Sequence, residues 1–447
     1  MALVASSSIR ILEANQPFFE PLTIRCQSCT IPTSKFGCWQ RSNRFDMIDE
    51  ETLSAVVAKQ KSLESSRNEG LLRSLDVNEK TLESHALVIT GVRRCGKSTA
   101  MTQRIRKVSS DWFYLKFDSP QLIDLELRDM ATLDRIIGRG GARRLYFDEM
   151  HELEGWELYV LQKLDEGFQV CVTGSNASLL KGERATKLTG RHVSKELFPF
   201  SFKEYCAYLD KPCDWTSIDD YLQDGGFPRF LDTKDATILF ELFDDIMYRD
   251  VITRHGIRDV AAVQRLAAYL IENPGCKFSA TRMLKALNVG VAGTVIQWCD
   301  WLEDAYLFLF VPKYCDSVRA QLVNPRKVYC VDTGLVSTVS RRIVFNDALR
   351  FENMVFLALR RRYRDVYYFD DDGECDFVCM ESHLPRMVVQ ACVELTKDDY
   401  DREIGGIKVA MRRFSFSEGF VVTKSQREEI KVDEGTIHVL PFAEFLR

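Results

Sequence analysis

The clearest chemistry in the chain sits in eight consecutive residues, Gly91-Val92-Arg93-Arg94-Cys95-Gly96-Lys97-Ser98. Glycines at the first and sixth positions let the backbone curl until successive N–H groups face one point, at the positive end of any helix that follows. A cradle of that kind holds phosphate. Lys97 is placed to reach the β- and γ-phosphates, and the Ser98 hydroxyl to ligate magnesium. The expected ligands are ATP and Mg2+, with Gly91, Arg93, Arg94, Cys95, Gly96, Lys97, Ser98 and Thr99 as candidate nucleotide contacts.

A second cluster supplies the acids. Arg144-Leu145-Tyr146-Phe147-Asp148-Glu149 is an apolar run ending in two carboxylates. Asp148 suits the metal side, and Glu149 suits a base that polarises the attacking water. A third apolar run, Phe168 to Asn176, ends in Gly174-Ser175-Asn176. Ser175 or Asn176 there either orients the water between acids and phosphates or forms a simple turn.

These groups must be positioned by strands and a helix. Ala86-Leu87-Val88-Ile89-Thr90 reads as a buried strand running straight into Gly91, and helical spacing begins after Ser98. Strand, phosphate loop and helix in that order give the motif its specificity. At 447 residues the chain exceeds one compact core, and several domains are expected. Its 46% hydrophobic and 28% charged content is that of a globular protein, and a net charge of -5 carries no global nucleic-acid signature. No apolar run approaches the roughly 18 residues of a membrane span, so no membrane role is expected. Fourteen cysteines, several inside apolar runs such as Val170-Cys171-Val172, suit reduced thiols and a cytoplasmic location.

In its motifs the chain resembles the prokaryotic AAA-type ATPases. The resemblance rests on Gly91 to Thr99, Tyr146 to Glu149, Thr173 to Asn176, Gly190-Arg191 and Phe198 to Glu204. It extends to the family that couples such a module to a C-terminal domain of unknown function. The resemblance implies that Arg191 senses or stabilises the γ-phosphate, against the alternative of a surface salt bridge. Gly225-Gly226-Phe227-Pro228-Arg229 is a turn signal that resembles the family's mark between domains.

Beyond it, apolar spacing predicts helices over 239–251, 263–271, 279–287 and 294–302, and a strand over 306–311. Three helices and a ribbon fit a winged-helix arrangement, as the resemblance also implies. The third helix carries Gln297, Trp298, Cys299, Asp300 and Trp301 in place of a basic comb, so packing against protein competes with DNA contact. The last hundred residues resemble the restriction-endonuclease-like fold. A nuclease of that type needs an acidic pair for magnesium and a lysine just beyond the second acid. Glu352 and Asp376 keep acidic positions, but Gln390 replaces the second acid and Cys392 stands where lysine is expected. The nuclease-like site therefore reads as degenerate, and the run Arg360-Arg361-Arg362 as either a phosphate grip or a solvated helix end.

The expected fold class is α/β. Residues 1–46 form a poorly ordered extension, in which Cys26 and Cys29 lack a second ligand pair for zinc. Residues 47–235 form a P-loop NTPase core of AAA type, 236–335 a winged-helix-like domain and 336–447 a nuclease-like α/β domain. The expected function is a magnesium-dependent ATPase acting as a switch or motor on its C-terminal domains. The alternatives are an ATP-dependent DNA-binding protein or nuclease, and a non-catalytic scaffold regulated by ATP. Double-stranded DNA, a protein or further copies of the chain are the partners in view.

Overall fold

The computed structural model describes residues 48–75, 77–108, 111–177, 188, 190–340 and 346–446. The expected extension over 1–46, with Cys26 and Cys29, lies outside the described residues. A five-stranded parallel sheet organises the first half. Its strands are β1 (Ala86–Thr90), β2 (Trp112–Lys116), β3 (Arg144–Asp148), β4 (Gln169–Gly174) and β5 (His192–Glu196), in the order β2-β3-β4-β1-β5. Alternation decides which face each side chain takes. Leu87 and Ile89 enter one core while Ala86 and Val88 enter the other, and Tyr114, Tyr146 and Cys171 oppose Phe113, Phe147 and Val172 in the same way.

Helix α1 (Glu50–Ser65) begins at Asp49, whose carboxylate accepts from the Thr52 N–H. It packs on the second face with α3 (Met130–Gly140) and α4 (Trp156–Asp165). Helix α2 (Lys97–Arg106) starts directly after the phosphate loop and covers the first face. The chain can turn that sharply because Gly91 and Gly96 take φ of +147° and +103°. A Cβ at Gly91 would also lie 2.0 Å from the Leu197 carbonyl oxygen.

After β5, Ser201 and Glu204 form a reciprocal cap on helix Phe202–Tyr208. The pair Gly225-Gly226 then lies against the chain on both sides. Phe200 N–H donates to the Gly226 carbonyl at 2.7 Å, and Gly226 N–H donates to Asp332 Oδ2 at 2.6 Å. A Cβ at Gly226 would lie 2.1 Å from the Phe200 oxygen, so the glycine is a close-approach residue as well as a turn.

Helix Thr237–Asp245 continues as a π-helical stretch, Ile246–Thr253. The spacing that predicts one α-helix over 239–251 thus meets a change of winding inside it. Helices Val260–Glu272, Ala280–Leu287 and Ala292–Asp304 follow, with a small antiparallel sheet of β6 (Lys277–Phe278), β8 (Arg326–Cys330) and β7 (Phe308–Val311). Trp298 is buried, and Trp301 stacks on His255 at 4.3 Å, so both indoles of the third helix pack inward.

The last part is a six-stranded mixed sheet. Its strands are β9 (Asp365–Asp370), β10 (Glu374–Glu381), β11 (Leu384–Ala391), β12 (Glu418–Thr423), β13 (Glu428–Val432) and β14 (Gly435–Pro441), ordered β13-β14-β12-β11-β10-β9. Helices Asp347–Arg362 and Tyr400–Phe414 flank it. One hydrophobic cluster runs without a break from Leu82 and Leu87 through the middle helices to Phe442. The arginine run joins this packing. Arg360 pairs with Glu196 of β5 at 2.6 Å, and Arg361 donates to the Pro199 carbonyl at 2.9 Å. Among the described residues no helix is long and apolar enough to cross a membrane, and the described cysteines are free.

Candidate functional site

Parallel strands bring their carboxyl ends to one edge, and in this sheet β3, β4 and β1 are consecutive neighbours there. The phosphate loop follows β1, Asp148 ends β3, and Ser175 follows β4. Lys97 folds back into the loop, donating to the Gly91 and Val92 carbonyls at 3.0 and 3.1 Å, with its side chain buried. Ser98 and Thr99 open α2 beside it, half-buried.

Asp148 is fully buried and accepts from two hydroxyls. Thr173 Oγ1 donates to its Oδ1 at 2.5 Å, and Tyr114 OH donates to its Oδ2 at 3.0 Å. The same Thr173 oxygen accepts from the Glu149 N–H at 2.9 Å, so one hydroxyl ties both acids to β4. Glu149 sits at φ +51°, a left-handed conformation that a non-glycine residue keeps only where its surroundings impose it. Ser175 Oγ donates to the Glu149 carboxylate at 2.9 and 3.0 Å. Asn176 is buried next to it. The buried His151 ring lies between acids, with Nδ1 3.3 Å from Glu149 and Nε2 3.3 Å from Glu152.

Behind the metal side, Thr102 Oγ1 donates to the buried Glu64 of α1. Burial pushes the Glu64 carboxyl above its ordinary value, and nearby Asp148 adds to the shift. A groove of about 730 Å³ opens along Glu64, Tyr114 and Lys116. Burial, with Asp148 beside it, holds the Tyr114 phenol far above its usual range, so it remains a donor.

Ser98 and Asp148 offer one hydroxyl and one carboxylate. Hard oxygen donors of that kind suit magnesium, which keeps most of its shell for water and phosphate.

Three expected nucleotide contacts have other partners in this structure. Arg93 makes a two-pronged pair with Asp250, Nε to Oδ2 at 3.0 Å and Nη2 to Oδ1 at 2.8 Å. Arg94 pairs with Asp245 at 2.7 Å. The Cys95 thiol points away from the loop and donates to the Leu197 carbonyl, and burial pushes its pKa up. The loop's Cys95 N–H still belongs to the curl.

Arg191 lies at the far edge of the sheet. Its carbonyl accepts from Ala86 N–H at the first residue of β1, whereas the phosphate loop follows the last. Four strand steps of about 3.3 Å separate those ends. Its guanidinium pairs with Asp165 and donates to the Ser84 carbonyl. Arg191 therefore does not reach the phosphate loop of its own chain.

In the C-terminal region Glu352 and Asp376 do meet, and a lysine lies between them, from a strand that spacing did not point to. Lys327 of β8 is buried, with Nζ 2.8 Å from Asp376 and 3.0 Å from both Glu352 and Glu374. Tyr329 OH donates to Glu352 at 2.7 Å. Burial, with Asp376 beside it, pushes the Glu352 carboxyl up to about 7. Gln390 accepts from the Asp376 N–H and donates to Glu403, while the Cys392 thiol donates to the Glu394 carbonyl. The position expected to hold lysine thus contacts neither acid, and the ammonium arrives from another sheet.

The first of these sites lies within a part of the chain that matches a known domain. Residues 83–206 match the profile of the AAA domain, and residues 216–343 match a domain of unknown function. An uncharacterized protein of Methanocaldococcus jannaschii is 29% identical, over 82% of this chain and 89% of the relative. An uncharacterized protein of Haemophilus influenzae is also 29% identical, over 71% of this chain and 84% of the relative. AMPPCP-bound DnaA from Aquifex aeolicus superposes over 50% of this chain and 85% of its own, at 13% identity and a TM-score of 0.26. Cdc6p from Pyrobaculum aerophilum covers 66% and 98% at 12% identity and the same score. Superpositions that loose carry no argument about this chain.

Proposed function

We propose that the chain binds ATP with magnesium and hydrolyses it slowly, using the cycle to switch the region that follows residue 216. One observation carries the reading. The Thr173 hydroxyl fixes Asp148 and Glu149 together on strands adjacent to the phosphate loop, and Ser175 aims the Glu149 carboxylate. The loop N–H groups and Lys97 bind and orient the phosphates. Glu149 accepts a proton from the attacking water, and its two contacts with Ser175 set its direction. Ser98 and Asp148 would hold magnesium, which would supply positive charge against the phosphates. Arg191, paired with Asp165 and bonded to the Ser84 carbonyl, takes no part in the site of its own chain.

The test is ATP binding and turnover by the full chain beside Lys97→Ala and Glu149→Gln. Lys97→Ala is expected to lose binding, and Glu149→Gln to keep binding and lose turnover. Absence of saturable ATP binding in the wild type, or binding and turnover unaffected by Lys97→Ala, would sink the proposal.

A second reading, phosphodiester cleavage by the C-terminal region, is favoured by the meeting of Lys327 with Glu352 and Asp376. Against it, all three carboxylates around Lys327 already hold the ammonium. Plasmid incubated with magnesium and ATP decides between them: nicking lost in Asp376→Ala supports cleavage, and no nicking removes it.

A further inference from the structure

The contacts of Arg93 and Arg94 bear on how the phosphate loop communicates with the rest of the chain. Both guanidiniums project from the loop that would hold the phosphates, and both end on carboxylates of one distant helical segment. Asp245 closes helix Thr237–Asp245, and Asp250 lies inside the π-helical stretch Ile246–Thr253. The winding matters. At about 100° per residue an α-helix sets positions five apart roughly 140° from each other around the axis. The i→i+5 bonding of a π-turn stacks such positions nearly one above the other. Asp245 and Asp250 can face the two arginines together because the helix is wound in this unusual way. Eight residues is also long for a structure that usually occurs as a single turn.

Asp250 is 4% exposed, and its partner is a guanidinium that also feels Glu149 of the site, a second anion holding Arg93 strongly protonated. Arg93 thus stands between the acids of the hydrolytic edge and one carboxylate of the region over 216–343. A triphosphate in the loop would offer it pairs of oxygens that accept two N–H bonds at once, with a larger negative charge than one carboxylate. Asp250 would then be a buried carboxylate without its counter-charge, a state that must either take up a proton or turn toward water.

We propose that this pairing is a latch thrown by the γ-phosphate: ATP draws Arg93 from Asp250 onto its phosphates, and the freed 246–253 segment rewinds toward α-helix, turning Asp250 away. This deepens the ATP reading above and rests on it. The π-stretch is the two-state element, and Arg94 with Asp245 keeps the neighbouring turn in register. Because coupling is reciprocal, any partner that holds the rewound segment tightens ATP binding by the same factor.

Hydrogen exchange on the full chain tests the latch, with magnesium and either ADP or a non-hydrolysable ATP analogue. Amides over 246–253 are expected to change their exchange rates with the analogue and not with ADP, since their i→i+5 bonds must give way to i→i+4 bonds. Asp250→Asn keeps the shape and removes the charge. It is expected to bind the analogue roughly fivefold or more tightly, the lower bound of usual coupling, and to show the analogue-bound exchange pattern without nucleotide. Should Asp250→Asn fail to fold, Asp245→Asn is expected to shift affinity in the same direction by less, and the wild-type exchange needs no variant. Analogue binding that depends on Lys97 but leaves exchange over 246–253 unchanged overturns the latch alone. Unchanged or weakened affinity in folded Asp250→Asn overturns it too. No binding of the analogue at all overturns the ATP reading and the latch together.

Discussion

Thr173→Val is the most informative single change in the hydrolytic edge. Threonine and valine have nearly the same shape, and Thr173 is 1% exposed, so packing is kept while one oxygen is lost. That oxygen makes two bonds, a charge-assisted one to Asp148 at 2.5 Å and one accepted from the Glu149 N–H at 2.9 Å. The first contributes about 1.5–3 kcal/mol and the second about 0.5–1.5 kcal/mol, and the Glu149 N–H is left buried without an acceptor. A loss of about 2–4 kcal/mol in unfolding free energy is expected. Asp148 would keep only Tyr114 OH, and Glu149 would lose the anchor of its left-handed backbone. Losing a supporting hydrogen bond of this kind typically costs about 10–100-fold. The loss should fall on kcat and on the magnesium requirement, with KM little changed, since Lys97 and the loop are untouched. Urea unfolding and steady-state ATP hydrolysis across a magnesium titration measure both effects. If Thr173→Val unfolds like the wild type and turns over ATP within about twofold of it, Thr173 does not organise the site. Tyr114→Phe in the same background should be non-additive, because both hydroxyls hold one carboxylate.

Two further outcomes follow from the buried charges. Lys327→Met removes the ammonium shared by Glu352, Glu374 and Asp376, and a loss of about 3–5 kcal/mol in urea unfolding is expected; adding Glu352→Gln should recover part of it, and no recovery would contradict charge as the cause. Burial pushes the Asp332 carboxyl from its ordinary 3.8 up to about 6, against the bonds it accepts from Gly226 and Leu335 N–H. The folded chain therefore keeps a proton that the unfolded chain has already released between about pH 4 and 6. Stability falls as pH rises through that window, by about 3 kcal/mol from this group, and levels off above it. Glu352 extends the decline toward neutrality. Urea curves from pH 4 to 8 check the slope, which Asp332→Asn should flatten; an equal slope in that variant would assign it elsewhere.

The phosphate loop and the two acids were legible because each lies within a few residues of a strand end, where local spacing carries the geometry. Thr173 reads locally as one more strand residue, since nothing in its neighbours in sequence shows that its hydroxyl meets both Asp148 and the Glu149 N–H. Tyr114, Glu64 and Asp250 arrive from 34, 84 and 157 residues away, in chain distance from Asp148, Asp148 and Arg93 respectively, and only the tertiary fold brings them in. Arg191 shows the converse. Its motif is local, but whether it reaches a phosphate depends on which end of β5 it precedes, and it precedes the wrong end for its own loop. The pattern of such sites points to a lysine at position 392, two residues beyond Gln390 and just past the end of β11. The ammonium stands on β8 instead, because a side chain from a neighbouring sheet can reach the same point.

The unbroken cluster from Leu87 to Phe442 has a consequence for how such a chain can be inherited. Tyr306 OH donates to Thr90 at the root of the phosphate loop, Asp332 holds the Gly226 turn, and Arg361 caps Pro199. The part that matches the AAA domain, with Gly226 just beyond it, is therefore finished by residues that come 106 to 216 positions later. Exchanging either half without these residues would break the contacts, each with a buried or half-buried polar group left over. The two halves are therefore constrained to keep these contacts, or replacements for them, as either one changes.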